Sequence, residues 1–167
     1  MLTQEQATRD AILRAFTALT EATAQDDVVV IFYAGHGSQM TDLEGDEPTG
    51  YDSTMMPCDS AGWSGQNRDI TDDEISVYLD ALGARTSYIT LIFDCCHSGT
   101  ITRDVPAAKV RAVPRDERPR DVLASMRGAL PRSALPATAA QPSGPSGWIP
   151  LGEKYVMIAG CRDLETS

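Results

Sequence analysis

Hydrophobic positions in the first part of the chain follow a helical spacing and then form a continuous run. Thr3 and Gln6 have the spacing of a capping box. Apolar residues follow at intervals of three and four, at Ile12, Phe16 and Leu19. The pattern predicts an amphipathic helix over about residues 4–24. The apolar run at residues 28–33 then predicts a strand that is buried on both faces.

The same pattern occurs a second time further along the chain. Thr71 and Glu74 form another capping box, and Gly83 is predicted to end the helix that follows. The apolar stripe of this helix consists of Ile75, Leu79 and Leu82. Residues 88–93 predict a second buried strand, and residues 155–159 a third, shorter one.

The alternation of helices and strands determines the predicted fold class. Strands that alternate with helices form parallel sheets with right-handed crossovers, so we expect an α/β sandwich. Three strands make a small sheet, which predicts that the sheet is incomplete at both ends. Residues 38–69 are rich in Gly, Asp, Ser and Pro and predict a long functional loop, with a short strand near residues 54–56.

Composition divides the chain into three parts. Residues 1–104 contain both helix–strand units, and residues 149–167 contain the third strand. Between them, residues 105–148 are rich in Pro, Ala and Arg and show no sustained period. This composition predicts a flexible, disordered linker.

Bulk properties exclude several classes of function. A net charge of −10 argues against nucleic-acid binding, because phosphates would be repelled. The apolar run at residues 28–34 is too short to span a bilayer, and residues 1–10 lack the features of a secretory signal. We therefore expect a cytoplasmic protein with no membrane partner. Between Thr41 and Asp80 the only basic residue is Arg68, so this acidic segment can hold a cation or a basic side chain.

Two reactive clusters follow the two long strands directly. Gly35-His36-Gly37 follows the first strand, and the Cys95–Cys96 pair follows the second. Ligands bind beyond the carboxyl ends of parallel strands, and neighbouring strand ends lie about 5 to 10 Å apart. An imidazole and a thiol in one crevice predict nucleophilic catalysis with His36 as the base. The spacing does not choose between the two cysteines, and the N–H groups of Gly37 and of the nucleophilic cysteine are predicted to form the oxyanion hole.

A metal or redox site is the alternative use of the same residues. The chain has no Cys-x-x-Cys spacing, so a zinc ribbon is excluded. Neighbouring cysteines form strained disulfides, which indicates reduced thiols. A transition-metal site would be built from Cys95, Cys96, His97 and His36. Adjacent thiols do not easily bind one ion with tetrahedral geometry, which disfavours this alternative.

The two reactive clusters lie in the motifs Tyr-Ala-Gly-His-Gly-Ser-Gln at 33–39 and Asp-Cys-Cys-His-Ser-Gly at 94–99. These motifs resemble the signatures of caspase-like cysteine peptidases, most closely the metacaspases and their prokaryotic relatives. Shorter similarities occur at residues 50–53, 70–74 and 161–163. The resemblance covers about residues 4–104 and 149–165, and it implies a three-layer α/β/α sandwich with a mainly parallel sheet.

The resemblance assigns roles to individual residues. It implies a catalytic dyad of His36 and Cys96, with the N–H groups of Gly37 and Cys96 as oxyanion donors. Cys95 then becomes a packed bystander, and His97 a structural residue. Cleavage after Arg or Lys in protein or peptide substrates is also implied, with Asp94 in the acidic specificity pocket.

The resemblance further implies calcium activation, without an organic cofactor. The family's calcium-binding aspartates match Asp52, Asp72 and Asp73, whereas Asp104 is offset by one residue from a fourth. Acidic residues in the first turn of a helix are also favoured without any metal, because they interact with the helix dipole.

The chain also departs from the family pattern. Nothing before Met1 matches the family's central strand, and the rest of the small-subunit portion after Asp163 is missing. These departures favour an alternative function as an inactive scaffold or regulatory module that binds partners through a sheet edge. The exposed basic residues of the Pro-rich linker predict self-cleavage there by an active relative or an intact form, after Lys109, Arg111, Arg115, Arg118 or Arg120.

Overall fold

The computed structural model describes residues 1–95, 113–126 and 155–159. Helix α1 (Arg9–Ala22) leads into strand β1 (Val28–Ala34), which is followed by β2 (His36–Thr41), β3 (Tyr51–Met56) and β4 (Ile70–Thr71). Helix α2 (Asp72–Gly83) leads into β5 (Tyr88–Asp94). Helix α3 (Arg120–Met126) and strand β6 (Tyr155–Ala159) complete the described elements. None of these helices is long and apolar enough to cross a membrane.

The first sheet is parallel and has the strand order β1-β5-β6. Alternate side chains of β1 and β5 face helices α1 and α2 and form one hydrophobic core. Its fully buried members include Ile75 from α2 and Leu91 and Phe93 from β5. The predicted α/β fold with an incomplete, mainly parallel sheet is confirmed.

The other face of this sheet is exposed to solvent along β1. Val28, Val30 and Phe32 are 76%, 59% and 64% exposed, so the prediction that β1 is buried on both faces is wrong. No helix among the described residues covers this face. An unbroken apolar run is typical of a doubly buried strand, but here only one face of β1 is packed.

A second, antiparallel sheet with the order β2-β3-β4 occupies much of the predicted loop. The expected short strand lies within β3, but the loop prediction is wrong for the rest of these strands. Many of the side chains buried here are polar, among them Ser38, Asp52 and Thr54. The usual alternation of apolar and polar residues is therefore missing, and the sequence shows no strand signal.

The capping-box pattern in the sequence predicted the first residues of α2 correctly, but not those of α1. Thr71 and Glu74 form the predicted capping box, and Gly83 is the last residue of α2. At α1, however, Thr8 rather than Thr3 is the N-cap, and a short 3-10 turn precedes it. Long-range bonds fix this start, because the Arg9 N–H donates to Asp59 Oδ1 at 2.8 Å.

Candidate active site

The carboxyl ends of β1 and β5 lie side by side in the parallel sheet. Ala34 of β1 pairs in register with Asp94 of β5. His36 comes two residues after Ala34, and Cys96 comes two residues after Asp94. Neighbouring strands are about 4.8 Å apart, so the two chain segments leave the sheet close together. Cys96 lies outside the described residues, and its pairing with His36 stays a prediction.

His36 is exposed and begins β2 directly after the turn at Gly35. Its carbonyl oxygen accepts a hydrogen bond from the Tyr33 hydroxyl at 2.7 Å. Gly37, the predicted oxyanion donor, is buried, and its carbonyl oxygen accepts from the Val113 N–H at 3.0 Å. The backbone around the imidazole is thus held on both sides, while the imidazole itself is accessible to a substrate.

Cys95 is wholly buried and belongs to the hydrophobic core. Among the described residues, the only group of three or more His, Cys or acidic side chains close enough to share a metal ion contains neither Cys95 nor His36, which disfavours a metal site shared by these two residues. His97, the remaining member of the alternative metal site with Cys96, also lies outside the described residues. Asp94 is half-buried at the end of β5, on the same edge of the sheet as His36.

The three predicted calcium ligands lie near one another at β3 and the start of α2, but of the three only Asp52 belongs to the set of carboxylates within ligand distance of one another among the described residues. Asp52 lies on β3, and Asp72 and Asp73 form the first turn of α2. All three side chains are buried. Asp52 Oδ1 and Asp72 Oδ1 are buried and have no hydrogen-bond partner within the described residues. Asp104, the offset fourth candidate, lies outside them.

Burial and mutual repulsion raise the pKa values of these carboxylates. Burial, followed by the nearby charge of Asp73, raises the pKa of Asp52 to about 9. Burial, followed by the charge of Asp46, raises the pKa of Asp73 to about 8. Burial and the charge of Asp52 raise the pKa of Asp72 well above its ordinary value. The group therefore holds protons at neutral pH unless a cation compensates its charge.

Three further acidic residues, Asp42, Glu44 and Asp46, complete the arrangement and were not singled out from the sequence. Carboxylate oxygens of Asp42, Glu44 and Asp52 lie within 4.8 Å of one another. Asp42 also organises its own loop, since its side chain accepts from the backbone N–H groups of Glu44 at 2.9 Å and Glu47 at 3.1 Å. The enrichment of acids after Thr41 was the available signal, but it did not identify which residues meet. We call Asp42, Glu44, Asp46, Asp52, Asp72 and Asp73 the acidic cluster.

The family follows from a sequence comparison. The family profile described as "Metacaspase, peptidase C14 domain" matches residues 1–106, more than half of the chain. The chain belongs to the metacaspase family. The resemblance inferred from the two motifs is thereby confirmed, and the matched range includes His36, Cys96 and the acidic cluster.

Individual metacaspases match the same part of the chain. Metacaspase-1 of Pyricularia oryzae is 40% identical over 95 residues, which are 57% of this chain and 23% of the relative. Metacaspase-1B of Neurospora crassa is 42% identical over 96 residues, which are 57% of this chain and 21% of the relative. The chain thus covers less than a quarter of either metacaspase. The solved structure of protein GSU0716 from Geobacter sulfurreducens has a similar fold, with a TM-score of 0.61, 23% identity, and coverage of 99% of this chain and 57% of that one.

One feature of this metacaspase chain was not expected from its sequence. Residues 113–118, within the predicted linker, run parallel to β2, and we call them the docked segment. The Asp116 N–H donates to Gln39 O at 2.8 Å, and the Thr41 N–H donates to Asp116 O at 3.0 Å. Here the structure differs from the predicted disorder, because backbone pairing to β2 and the seven-residue helix α3 give these residues defined contacts.

A network of polar side chains holds the docked segment in place. It consists of Asn67, Asp116 and Arg118, and we call it the latch. Asp116 is buried and accepts from Asn67 Nδ2 at 2.9 Å and from Arg118 Nε at 2.8 Å. Arg118 also donates to the carbonyl oxygens of Gly62 and Gly65, each at 2.8 Å. The docked segment therefore extends along β2 from Gly37, beside His36, to Thr41, beside the acidic cluster.

Proposed function

We propose that this chain provides the catalytic half of a cysteine endopeptidase that cleaves after Arg or Lys. His36 is the general base, Cys96 is the nucleophile, and calcium at the acidic cluster activates the enzyme. The observation that carries the proposal is the register of Ala34 with Asp94, which leaves His36 and Cys96 equally far beyond two neighbouring strand ends.

The burial of Cys95 supports the choice of Cys96 as the nucleophile. Side chains of neighbouring residues on an extended segment point in opposite directions. Because Cys95 points into the core, we expect Cys96 to point away from it. A thiol near its ordinary pKa of about 8.5 needs a neighbouring base to become an efficient nucleophile, and His36 supplies one.

The proposed reaction follows from these positions. His36 takes the proton of the Cys96 thiol as the sulfur attacks the scissile carbonyl carbon. The N–H groups of Gly37 and Cys96 stabilise the negative oxygen that forms. His36 then donates the proton to the leaving amine, and water hydrolyses the thioester to release the acid and restore the thiol. Asp94, on the same edge of the sheet, contacts the guanidinium or ammonium group of the substrate.

Calcium fits the chemistry of the acidic cluster. Hard oxygen ligands in a clustered arrangement suit this ion, and the unpartnered oxygens of Asp52 and Asp72 need a cation or protons. Asp52, Asp72 and Asp73 would hold it, with Asp42 and Glu44 close by. Bound calcium would supply positive charge that keeps these carboxylates ionised and orders the ends of β2, β3 and α2.

Peptide hydrolysis tests the proposal directly. Short peptides ending in Arg, Lys or Asp before a reporter group are incubated with the chain, with and without calcium. We expect Arg and Lys peptides to be cleaved in calcium, Cys96→Ala and His36→Ala to abolish cleavage, and Cys95→Ala to retain most of it. Cleavage of the Asp peptide alone, or full activity in Cys96→Ala, would contradict the proposal.

A second candidate function is an inactive module that binds partners through its first sheet. The exposed side chains of Val28, Val30 and Phe32 favour it, because β1 is also an edge strand among the described residues. The same assay separates the two functions. A folded chain that cleaves none of the peptides at any calcium concentration favours the binding module.

A further inference from the structure

Tyr33 folds back over the turn that carries His36. A Cβ atom placed at Gly35 would lie 2.4 Å from the Tyr33 hydroxyl oxygen and 2.6 Å from Cζ. Real Cβ atoms do not approach other atoms that closely, so the ring occupies the space of a side chain at position 35. Glycine between Tyr33 and His36 is therefore required by the position of the ring, whatever the backbone torsion angles.

The Tyr33 hydroxyl holds two backbone carbonyl groups. It donates to His36 O at 2.7 Å, and Met56 O lies 3.2 Å from the same hydroxyl oxygen. His36 and Met56 are partners in the pairing of β2 with β3. Burial raises the pKa of Tyr33 above its ordinary value, so the hydroxyl keeps its proton and stays a donor at neutral pH. The hydroxyl thus joins the end of β1 to the beginning of the second sheet.

The Tyr33 ring also contacts the strand that leads to Cys96. Tyr33 pairs in register with Phe93, and the two rings meet edge to face with 6.0 Å between centroids. Phe93 is wholly buried and precedes Asp94. One side chain therefore contacts both the strand that precedes Cys96 in the sequence and the backbone of His36: its ring packs against β5, and its hydroxyl bonds to His36 O.

We infer that Tyr33 is a positioning residue for His36, with its hydroxyl setting the direction in which the imidazole leaves the backbone relative to Cys96. The inference rests on the proposed function, since it concerns the same dyad. A ring that only filled space would stabilise the fold equally well without its hydroxyl. Removing only the hydroxyl separates these two roles.

The test compares Tyr33→Phe, which keeps the ring, with Tyr78→Phe. Tyr78 stacks on Phe16 between helices α1 and α2, outside both motifs, and is a matched control. All variants are measured at a temperature at which circular dichroism shows them folded. Peptide hydrolysis gives kcat and KM. Separately, alkylation of Cys96 by iodoacetamide is followed against pH, with the modified cysteine located by tandem mass spectrometry.

We expect Tyr33→Phe to lower kcat about tenfold, because a small misplacement of a base is costly. KM should change less than about twofold, because substrate contacts are kept. The pH profile of Cys96 alkylation should move toward that of His36→Ala, while Tyr78→Phe matches the unmodified chain. Gly35→Ala, which displaces the ring but keeps the hydroxyl, should give the same shift.

The outcomes distinguish a failure of the positioning role of Tyr33 from a failure of the proposed dyad of His36 and Cys96. An unchanged kcat and an unchanged alkylation profile in Tyr33→Phe would overturn the role of Tyr33 and leave the dyad standing. If the unmodified chain and His36→Ala alkylate identically at every pH, the proposed dyad fails, and the positioning role fails with it. Equal losses in Tyr33→Phe and Tyr78→Phe would also overturn the inference, because they would indicate a general loss of packing.

Discussion

Arg9 and Glu74 form a buried ion pair that joins the first turn of α1 to the first turn of α2. Arg9 Nη1 lies 3.1 Å from Glu74 Oε2, and Nη2 contacts Oε1. The same Nη1 donates to the carbonyl oxygen of Asp69 at 2.6 Å. Glu74 in turn accepts from the Thr71 N–H, so the pair secures the end of α2 that carries part of the acidic cluster.

Removing Arg9 should strongly destabilise the fold. Arg9→Ala leaves the Glu74 carboxylate buried without its cation, and loss of one partner of a buried pair costs about 3 to 5 kcal/mol. Urea unfolding followed by circular dichroism measures the free energy of unfolding. Arg14→Ala, an exposed position on the same helix, is the control and should change it by less than about 0.5 kcal/mol. Similar effects of the two substitutions would contradict the role of the pair.

The acidic cluster should make stability fall as pH rises in the absence of calcium. The pKa values of Asp52 and Asp73 are raised to about 9 and about 8. Between the ordinary value of 3.8 and these values the folded state binds more protons than the unfolded state. The unfolding free energy therefore decreases with pH over this range. Calcium should reverse the trend, because the proposed site would bind it through ionised carboxylates.

Asp52→Asn tests this prediction with two effects of opposite sign. Without calcium at neutral pH the substitution should raise the melting temperature, because Asp52 must take up a proton to be buried, whereas Asn is already neutral. In calcium it should reduce the gain in melting temperature that the unmodified chain shows. Differential scanning calorimetry from acidic to mildly alkaline pH measures both effects, with the exposed Asp80→Asn as the control. A calcium gain that persists unchanged in Asp52→Asn would refute the site.

The elements predicted from the sequence are those that local interactions determine. The start of α2 depends on Thr71 and Glu74, three residues apart, and it was predicted correctly. The start of α1 depends on a bond from Arg9 to Asp59, fifty residues away, and it was not. Strand β1 was recognised from its apolar run, but composition could not reveal that Val28 and Val30 lie on an exposed face.

The candidate site was predictable only as far as its motifs extend. The motifs gave His36 and Asp94, which the parallel register brings to one edge of the sheet. Asp42 and Glu44 were not singled out, because their approach to Asp52 depends on how the loop after β2 folds back. The docked segment was also missed, since the contact between Asn67 and Asp116 is invisible to local patterns.

The latch should contribute to stability in a pH-dependent way. Burial alone would raise the pKa of Asp116, but hydrogen bonds from Arg118 and Asn67 outweigh it and lower that pKa below 3.8. The ionised form thus stabilises the fold above this value, and the contribution is lost as pH falls below it. We expect Arg118→Ala to cost about 2 kcal/mol at neutral pH, since it removes hydrogen bonds to a charged group.

Urea unfolding at a series of pH values measures this contribution. The difference in the free energy of unfolding between Arg118→Ala and the unmodified chain should become smaller in acid, because Asp116 is then protonated in both proteins. Arg115→Ala is the matched control, because Arg115 lies in the same segment but its ion pair is with Glu117 and its ring contact with Tyr51, not with Asp116. A difference that stays constant down to the acidic limit would mean that Arg118 does not act through Asp116.

The docked segment should resist cleavage after Arg115 in the folded chain. A protease needs several residues around the cut in an extended, unpaired form, but the Asp116 N–H is bonded to Gln39 O. Limited trypsin digestion, with fragments identified by mass, measures the rate at which the peptide bond after Arg115 is cut in the folded chain and in urea. We expect it to be cut at least about tenfold more slowly in the folded chain, because cleavage requires local opening. Arg118→Ala should remove part of this protection, and the self-cleavage predicted from the sequence should likewise avoid Arg115 and Arg118. Equal rates in the folded and unfolded chain would show that the segment is not held against β2.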